Sequence, residues 1–136
     1  MPDLPHEVRA LFDAPNYVAL ASLLPDGSPH NVTVWGGVDG DRVFFFTQPE
    51  SRKARNLARD RRVALTVHDR ANPFHTAWVR GRVVETREGE DALPLIDVLS
   101  RKYTGADFPL RRGVVFLVEP ELVGSMRLPF THTPTG

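Results

Sequence analysis

The residues best suited to chemistry crowd into one short segment. From Ser51 to Arg62 stand Arg52, Lys53, Arg55, Arg59, Arg61 and Arg62 against a single acid, Asp60, a net charge of +5. The whole chain of 136 residues balances seventeen basic against seventeen acidic side chains, so everything outside this segment compensates it. Ser51 has the right chemistry for a helix N-cap, because its hydroxyl can accept from an otherwise unpaired backbone N–H. At 100° per residue, Ala54, Leu57 and Ala58 share one face of that helix, and Arg52, Arg55 and Arg59 share another. Lys53 falls in the first turn, where free N–H groups, the positive end of the helix dipole and the ammonium charge all favour a phosphate. The segment therefore reads as a monophosphate or diester site. The competing reading is an ordinary solvated face whose cations are held by nearby carboxylates.

Other reaction classes lack support. The phosphate loop, the dinucleotide-binding glycine fingerprint and the hydrolase nucleophile elbow are all missing from the sequence. The five histidines, His6, His30, His68, His75 and His132, form no close ligand pair, and there is no cysteine, so no metal site, disulfide or thiol nucleophile is expected. Zero net charge argues against a nucleic-acid or anionic-membrane binder, which needs a broad positive field. A single-stranded nucleic-acid module, with the basic helix as a track and aromatic side chains as stacking platforms, is the weaker alternative. No stretch approaches a membrane span in length and the N-terminus does not resemble a secretion signal, so a cytoplasmic protein is expected. If the protein is an enzyme, its reactive atom is expected from a cofactor.

The elements that position these residues follow from periodicity. Leu4, Val8, Leu11 and Phe12 predict an amphipathic helix that closes near Ala14-Pro15 and caps one end of the core. Strands are expected over Tyr17–Leu24, His30–Trp35 and Arg42–Thr47, joined by the turns Pro25-Asp26-Gly27-Ser28 and Asp39-Gly40-Asp41. In the third strand Phe45 must face away from Phe44 and Phe46. After the basic helix come strands over Val63–His68 and Thr76–Glu85, with Gly81 marking a bend or close backbone approach. A helix over Gly89–Tyr103 has Pro94 in its first turn. Two last strand segments, Val114–Val118 and Leu122–Leu128, flank Glu119-Pro120-Glu121. The sum is mainly β with inserted helices, six to seven antiparallel strands in a small barrel over residues 1–130, with 131–136 as a flexible tail. Trp35 and Trp78 can stack on a planar ring or pack at an interface. Gly36-Gly37 either admits a ligand or a neighbouring backbone beside Trp35, or forms a bulge.

Taken in order, Leu20-Ala21-Ser22-Leu23-Leu24-Pro25-Asp26-Gly27-Ser28-Pro29-His30, Val34-Trp35, Val38-Asp39-Gly40-Asp41, Phe46-Thr47, Ser51 to Asp60, Arg62-Val63-Ala64-Leu65, Val79-Arg80-Gly81 and Tyr103-Thr104-Gly105 span most of the chain. In this order and spacing they resemble the pyridoxamine 5′-phosphate oxidase-like split-barrel superfamily, in particular its small flavin-dependent or deazaflavin (coenzyme F420)-dependent oxidoreductases. The resemblance implies a Greek-key split β-barrel and a homodimer with cofactor sites at its interface. It implies that Thr47, Ser51, Lys53, Arg55 and Asn56 hold the cofactor phosphate and that the backbone of Thr33, Val34 and Trp35 lines the ring. It also implies that Trp78 and Arg80 arrive from the partner subunit. Gly36-Gly37, where relatives carry larger residues, would widen the ring pocket. Arg61 stands where relatives often have proline. F420 is favoured over FMN because Arg52, Arg59 and Arg62 suit its longer anionic tail. The expected task is hydride transfer to a small-molecule substrate; the alternative on the same fold is a non-catalytic flavin, deazaflavin or haem binder.

Overall fold

A computed structural model describes residues 3–133, so residues 134–136 of the expected tail lie outside the described part. Six strands, β1 (Tyr17–Leu23), β2 (Pro29–Asp39), β3 (Arg42–Thr47), β4 (Arg62–His68), β5 (His75–Glu88) and β6 (Val114–Arg127), close into a barrel in the order β1-β2-β3-β6-β5-β4. Every neighbouring pair is antiparallel. Alternation decides which side chains enter. In β4, Val63, Leu65 and Val67 are buried while Arg62, Ala64, Thr66 and His68 are exposed. The interior is apolar, with Val18, Leu20, Val34, Val43, Phe45, Leu65, Val79 and Val118 among its members.

Three α-helices decorate the barrel. Helix α1 (His6–Asp13) inserts Val8, Leu11 and Phe12 into the interior cluster and plugs one end, as its spacing predicts. Helix α2 (Arg52–Arg59) is capped by Ser51, whose hydroxyl accepts from the Ala54 N–H at 3.2 Å. Helix α3 (Leu93–Thr104), entered through a 3₁₀ turn over Gly89–Ala92, lies on the outer face and buries Ile96 and Leu99 against Phe44, Val115 and Leu117. Phe44 and Phe45 thus serve two different cores on opposite sides of β3. Gly105 ends α3 at φ +83°, a left-handed conformation that glycine adopts without steric cost. No helix among the described residues is long and apolar enough to cross a membrane.

Three expectations change. The last two strand segments are one continuous strand, β6, because a bulge absorbs Glu121: the register slips between Arg80 and Gly81, which face Leu122 and Pro120. A side chain at Gly81 would run into the Glu119 carbonyl, so this glycine permits the close approach that its position in the sequence predicts. Gly36-Gly37 forms no bulge, since Gly36 faces Phe45 and Gly37 faces Phe44 in unbroken register. A Cβ on Gly37 would meet Leu99 Cδ2 at 2.8 Å and Phe44 Cε1 at 2.9 Å. The space left by Gly37 is filled by α3 and does not widen a ligand pocket. On α2, Asn56 and not Ala58 completes the buried face beside Ala54 and Leu57, because its side-chain amide donates to Ser22 Oγ at 3.1 Å beneath the helix.

Candidate functional site

A cleft of about 310 Å³ opens on the outer face where β1, β2, β3 and the first turn of α2 converge; Tyr17, Thr33, Val34, Trp35, Phe46, Thr47, Lys53 and Phe108 line it. Its backbone chemistry comes from the way β2 changes partners. Pro29–Trp35 pairs with β1, whereas only Gly36–Asp39 pairs with β3. The edge of Pro29–Trp35 that faces away from β1 therefore carries no strand. Gly36 directs both its N–H and its carbonyl to the Tyr103 hydroxyl, which also donates to the Asn16 carbonyl at the start of β1. Polar groups alternate along a strand, so those of Thr33 face the uncovered edge, while those of Trp35 face the same side where the β3 ladder begins. The Thr33 groups have no strand partner on that side.

Aromatic side chains build the wall. Tyr103 stacks on Trp35, with centroids 5.2 Å apart and planes 10° apart, and on Tyr17 at 5.7 Å and 24°. Phe108 meets Phe46 edge to face at 5.0 Å, and both contact Trp35. Phe108 reaches this position because its loop is clamped to α3. The Asp97 carboxylate accepts from the Phe108 N–H at 3.1 Å and from both terminal nitrogens of Arg111 at 2.8 Å, while Arg111 also donates to the Phe108 carbonyl at 2.8 Å. The Arg111 hydrogen bonds hold the Asp97 carboxyl down at about 2. Lys102 donates to the Phe12 carbonyl at 3.0 Å and to the Gly36 carbonyl, and burial pushes its pKa down to about 8.

At the other end sits Lys53. No carboxylate pairs with it among the described residues, and burial lowers its pKa. A half-buried ammonium with no counter-ion beside a helix N-terminus is a place where an anion gains from every neighbour. Thr47 donates to Ser51 Oγ at 3.0 Å, which ties the end of β3 to the helix cap.

Of the residues singled out in the sequence, Thr33, Val34, Trp35, Thr47 and Lys53 meet in this cleft, and Ser51 stands immediately behind Thr47. Arg55 is exposed on α2. Asn56 is fully buried, with its Oδ1 unpartnered. Trp78 and Arg80 lie on the outer face of β5: the Trp78 indole covers Gly124, and Arg80 borders a separate pocket with Arg62, Arg82 and Glu121. Sequence reading misses Tyr17, Phe46, Phe108 and Tyr103. Tyr17 and Phe46 were legible by parity, since Tyr17 faces Trp35 in register and Phe46 must oppose Phe45. Phe108 and Tyr103 depend on the fold of α3 and its loop.

The family model for pyridoxamine 5′-phosphate oxidase matches residues 4–126. The chain belongs to the pyridoxamine 5′-phosphate oxidase family. Among solved members of similar fold is an F420 reductase, 27% identical, with a TM-score of 0.78 over 89% of this chain and 98% of that one. A haem-binding protein from Mycobacterium smegmatis is 19% identical, with a TM-score of 0.64 over 93% of this chain and 59% of that one. An FAD-binding protein from Mesorhizobium loti is 19% identical, with a TM-score of 0.61 over 90% and 94%. The last two share the fold alone. Comparison with curated proteins finds no match. Membership of the pyridoxamine 5′-phosphate oxidase family fixes the barrel, and the reaction has to be argued from the cleft.

Proposed function

We propose that the protein is an oxidoreductase that binds F420, or FMN, in this cleft and passes hydride to a small unsaturated organic substrate. The observation that carries this reading is Lys53: an unpaired, half-buried ammonium at one end of a cleft whose walls are stacked aromatics and an uncovered strand edge. That donor set fits a phosphorylated cofactor with a planar ring. Lys53 and the N-terminal turn of α2 would bind the phosphate, the backbone of Thr33 would orient the ring, and Trp35, Phe46 and Phe108 would keep water from it. Once bound, such a cofactor supplies hydride from its reduced ring, and the accompanying proton comes from water. The F420 reductase among the structural relatives supports the choice of cofactor. Of the cations that favour F420, Arg52 has no acid partner among the described residues, Arg59 donates to the Leu23 carbonyl and Arg62 pairs with Asp60 at 2.8 Å. Arg52 is therefore the one best placed to meet a longer anionic tail.

A homodimer belongs to the same reading. The outer face of β5 and β6 exposes Trp78, Leu122 and Met126, an apolar surface that a second copy would cover. Arg80 and Trp78 would then complete the partner's site. The haem alternative is less well supported, because no histidine, cysteine or methionine lines the cleft to serve as an axial ligand. Titrating the purified protein with F420 and with FMN, followed by absorbance, tests the assignment. Binding at low micromolar concentration is expected for at least one of them, and binding of neither overturns it. Sedimentation at micromolar concentration is expected to show a dimer; a monomer contradicts the shared site.

A further inference from the structure

The arginines of this chain divide by whether an acid holds them. Outside the segment 52–62, the described arginines are ion-paired except for Arg70, Arg80 and Arg127. Two of these three, Arg70 and Arg127, line one groove of about 700 Å³ between the C-terminal end of α1, the turn 69–71 and the end of β6. Against these two guanidinium groups the groove sets one carboxylate, that of Asp69. Asp69 turns its Oδ1 back to the Ala71 N–H at 2.8 Å, and Asn16 spends its side chain on the Leu11 carbonyl and the Arg70 N–H, each at 3.0 Å.

Arg127 is held beside His75, its Nη2 lying 3.1 Å from His75 Nδ1. No carboxylate pairs with this guanidinium among the described residues. Arg70 is placed by stacking, 5.2 Å over the Tyr17 ring, and Tyr17 lines the cleft described above. Groove and cleft meet across that one ring. Lys53 lines the cleft and not the groove, so the two arginines form a cationic site separate from it. The groove is bordered by the half-negative C-terminal end of α1, which favours a singly charged carboxylate over a doubly charged phosphate.

We propose that this groove takes the carboxylate of a small organic acid through Arg70 and Arg127, while the unsaturated body of the same molecule enters the cleft past Tyr17. The placement of the body rests on the oxidoreductase reading; the acid-binding groove does not.

The test uses the full chain, with and without bound cofactor, and a matched pair of probes, benzoate and benzamide, with inorganic phosphate as a third. Benzoate is expected to bind at least tenfold more tightly than benzamide or phosphate. Arg70→Met and Arg127→Gln are each expected to weaken benzoate at least tenfold and to leave cofactor affinity within twofold. Arg112→Gln, the same loss of charge outside both groove and cleft, should leave benzoate affinity unchanged. Equal binding of benzoate and benzamide, phosphate binding as tight as benzoate, or wild-type benzoate affinity in both groove variants overturns the proposal. If no cofactor binds yet benzoate still binds through Arg70 and Arg127, the groove stands and the oxidoreductase reading falls.

Discussion

Helices α2 and α3 are both basic, and they use their cations in opposite ways. In α3 and the loop after it, Arg101 pairs with Asp107, Arg111 with Asp97, Arg112 with Glu50, and Lys102 is anchored on two backbone carbonyls. On α2, Arg52, Lys53 and Arg55 have no acid partner among the described residues. Composition alone does not separate the two. What separates them is whether the fold supplies a counter-charge: where it does, the cation fastens structure, and where it does not, the cation is available to a ligand. The carboxylate pairing expected of a solvated face is present at the end of the basic segment, where Arg62 meets Asp60, and is lacking among the described residues at Arg52, Lys53 and Arg55, of which Arg52 and Arg55 are exposed.

This contrast can be broken or sharpened by substitution. The largest effects concern folding and should not distinguish the helices: Leu57 and Leu99 are both fully buried, so Leu57→Ala and Leu99→Ala should each cost about 2–5 kcal/mol in urea unfolding. Wild-type stability in Leu99→Ala would mean that α3 is not a packed wall.

Next in size, Lys53→Ala should weaken cofactor binding by about 1.5–3 kcal/mol while leaving unfolding unchanged, the signature of a cation kept for a ligand. Burial lowers the Lys53 pKa, so affinity should fall as pH rises through that lowered value and the ammonium is lost. Lys53→Arg stays charged and should resist this decline when binding is measured across alkaline pH.

On the α3 side, Asp97→Asn should lower the melting temperature by a few degrees at neutral pH and have a smaller effect on cofactor affinity than Lys53→Ala. The Asp97 carboxyl is held at about 2, below its ordinary value near 4. Its contribution is therefore complete above pH ~4 and lost as pH falls toward 2. Melting curves of the two proteins should converge over that interval; a constant gap would assign the stabilisation elsewhere. The smallest effect is expected for exposed Arg52, where Arg52→Ala should change stability by less than ~0.5 kcal/mol. It should weaken F420 binding more than FMN binding, and equal weakening would remove Arg52 from the recognition of a longer tail.

The strands and the basic helix were legible because each is a local pattern: period-two burial in β4, the Ser51 cap, and the turn before β2. Half of the cleft was legible for the same reason, since Thr33, Val34 and Trp35 are consecutive on one strand and Thr47 lies close to Lys53 in the chain. The rest depends on long-range placement. Tyr103 reaches Trp35 only because Gly37 lets α3 approach the barrel, and Phe108 faces Phe46 only because Asp97 and Arg111 fasten a loop that has no periodicity of its own. The pairing of cations with acids is likewise invisible in a charge count. Arg112 and Glu50 are 62 positions apart, and Arg42 and Glu85 are 43 apart.

The central claim is that Lys53 holds a cofactor phosphate, and the most direct test compares phosphorylated and phosphate-free ligands on the wild type and on Lys53→Ala. Dissociation constants are needed for FMN against riboflavin and for F420 against its phosphate-free chromophore. The wild type should bind at least one phosphorylated form about tenfold or more tightly than its counterpart, and that advantage should vanish in Lys53→Ala. An advantage that survives the substitution unchanged would contradict the account and place the phosphate elsewhere.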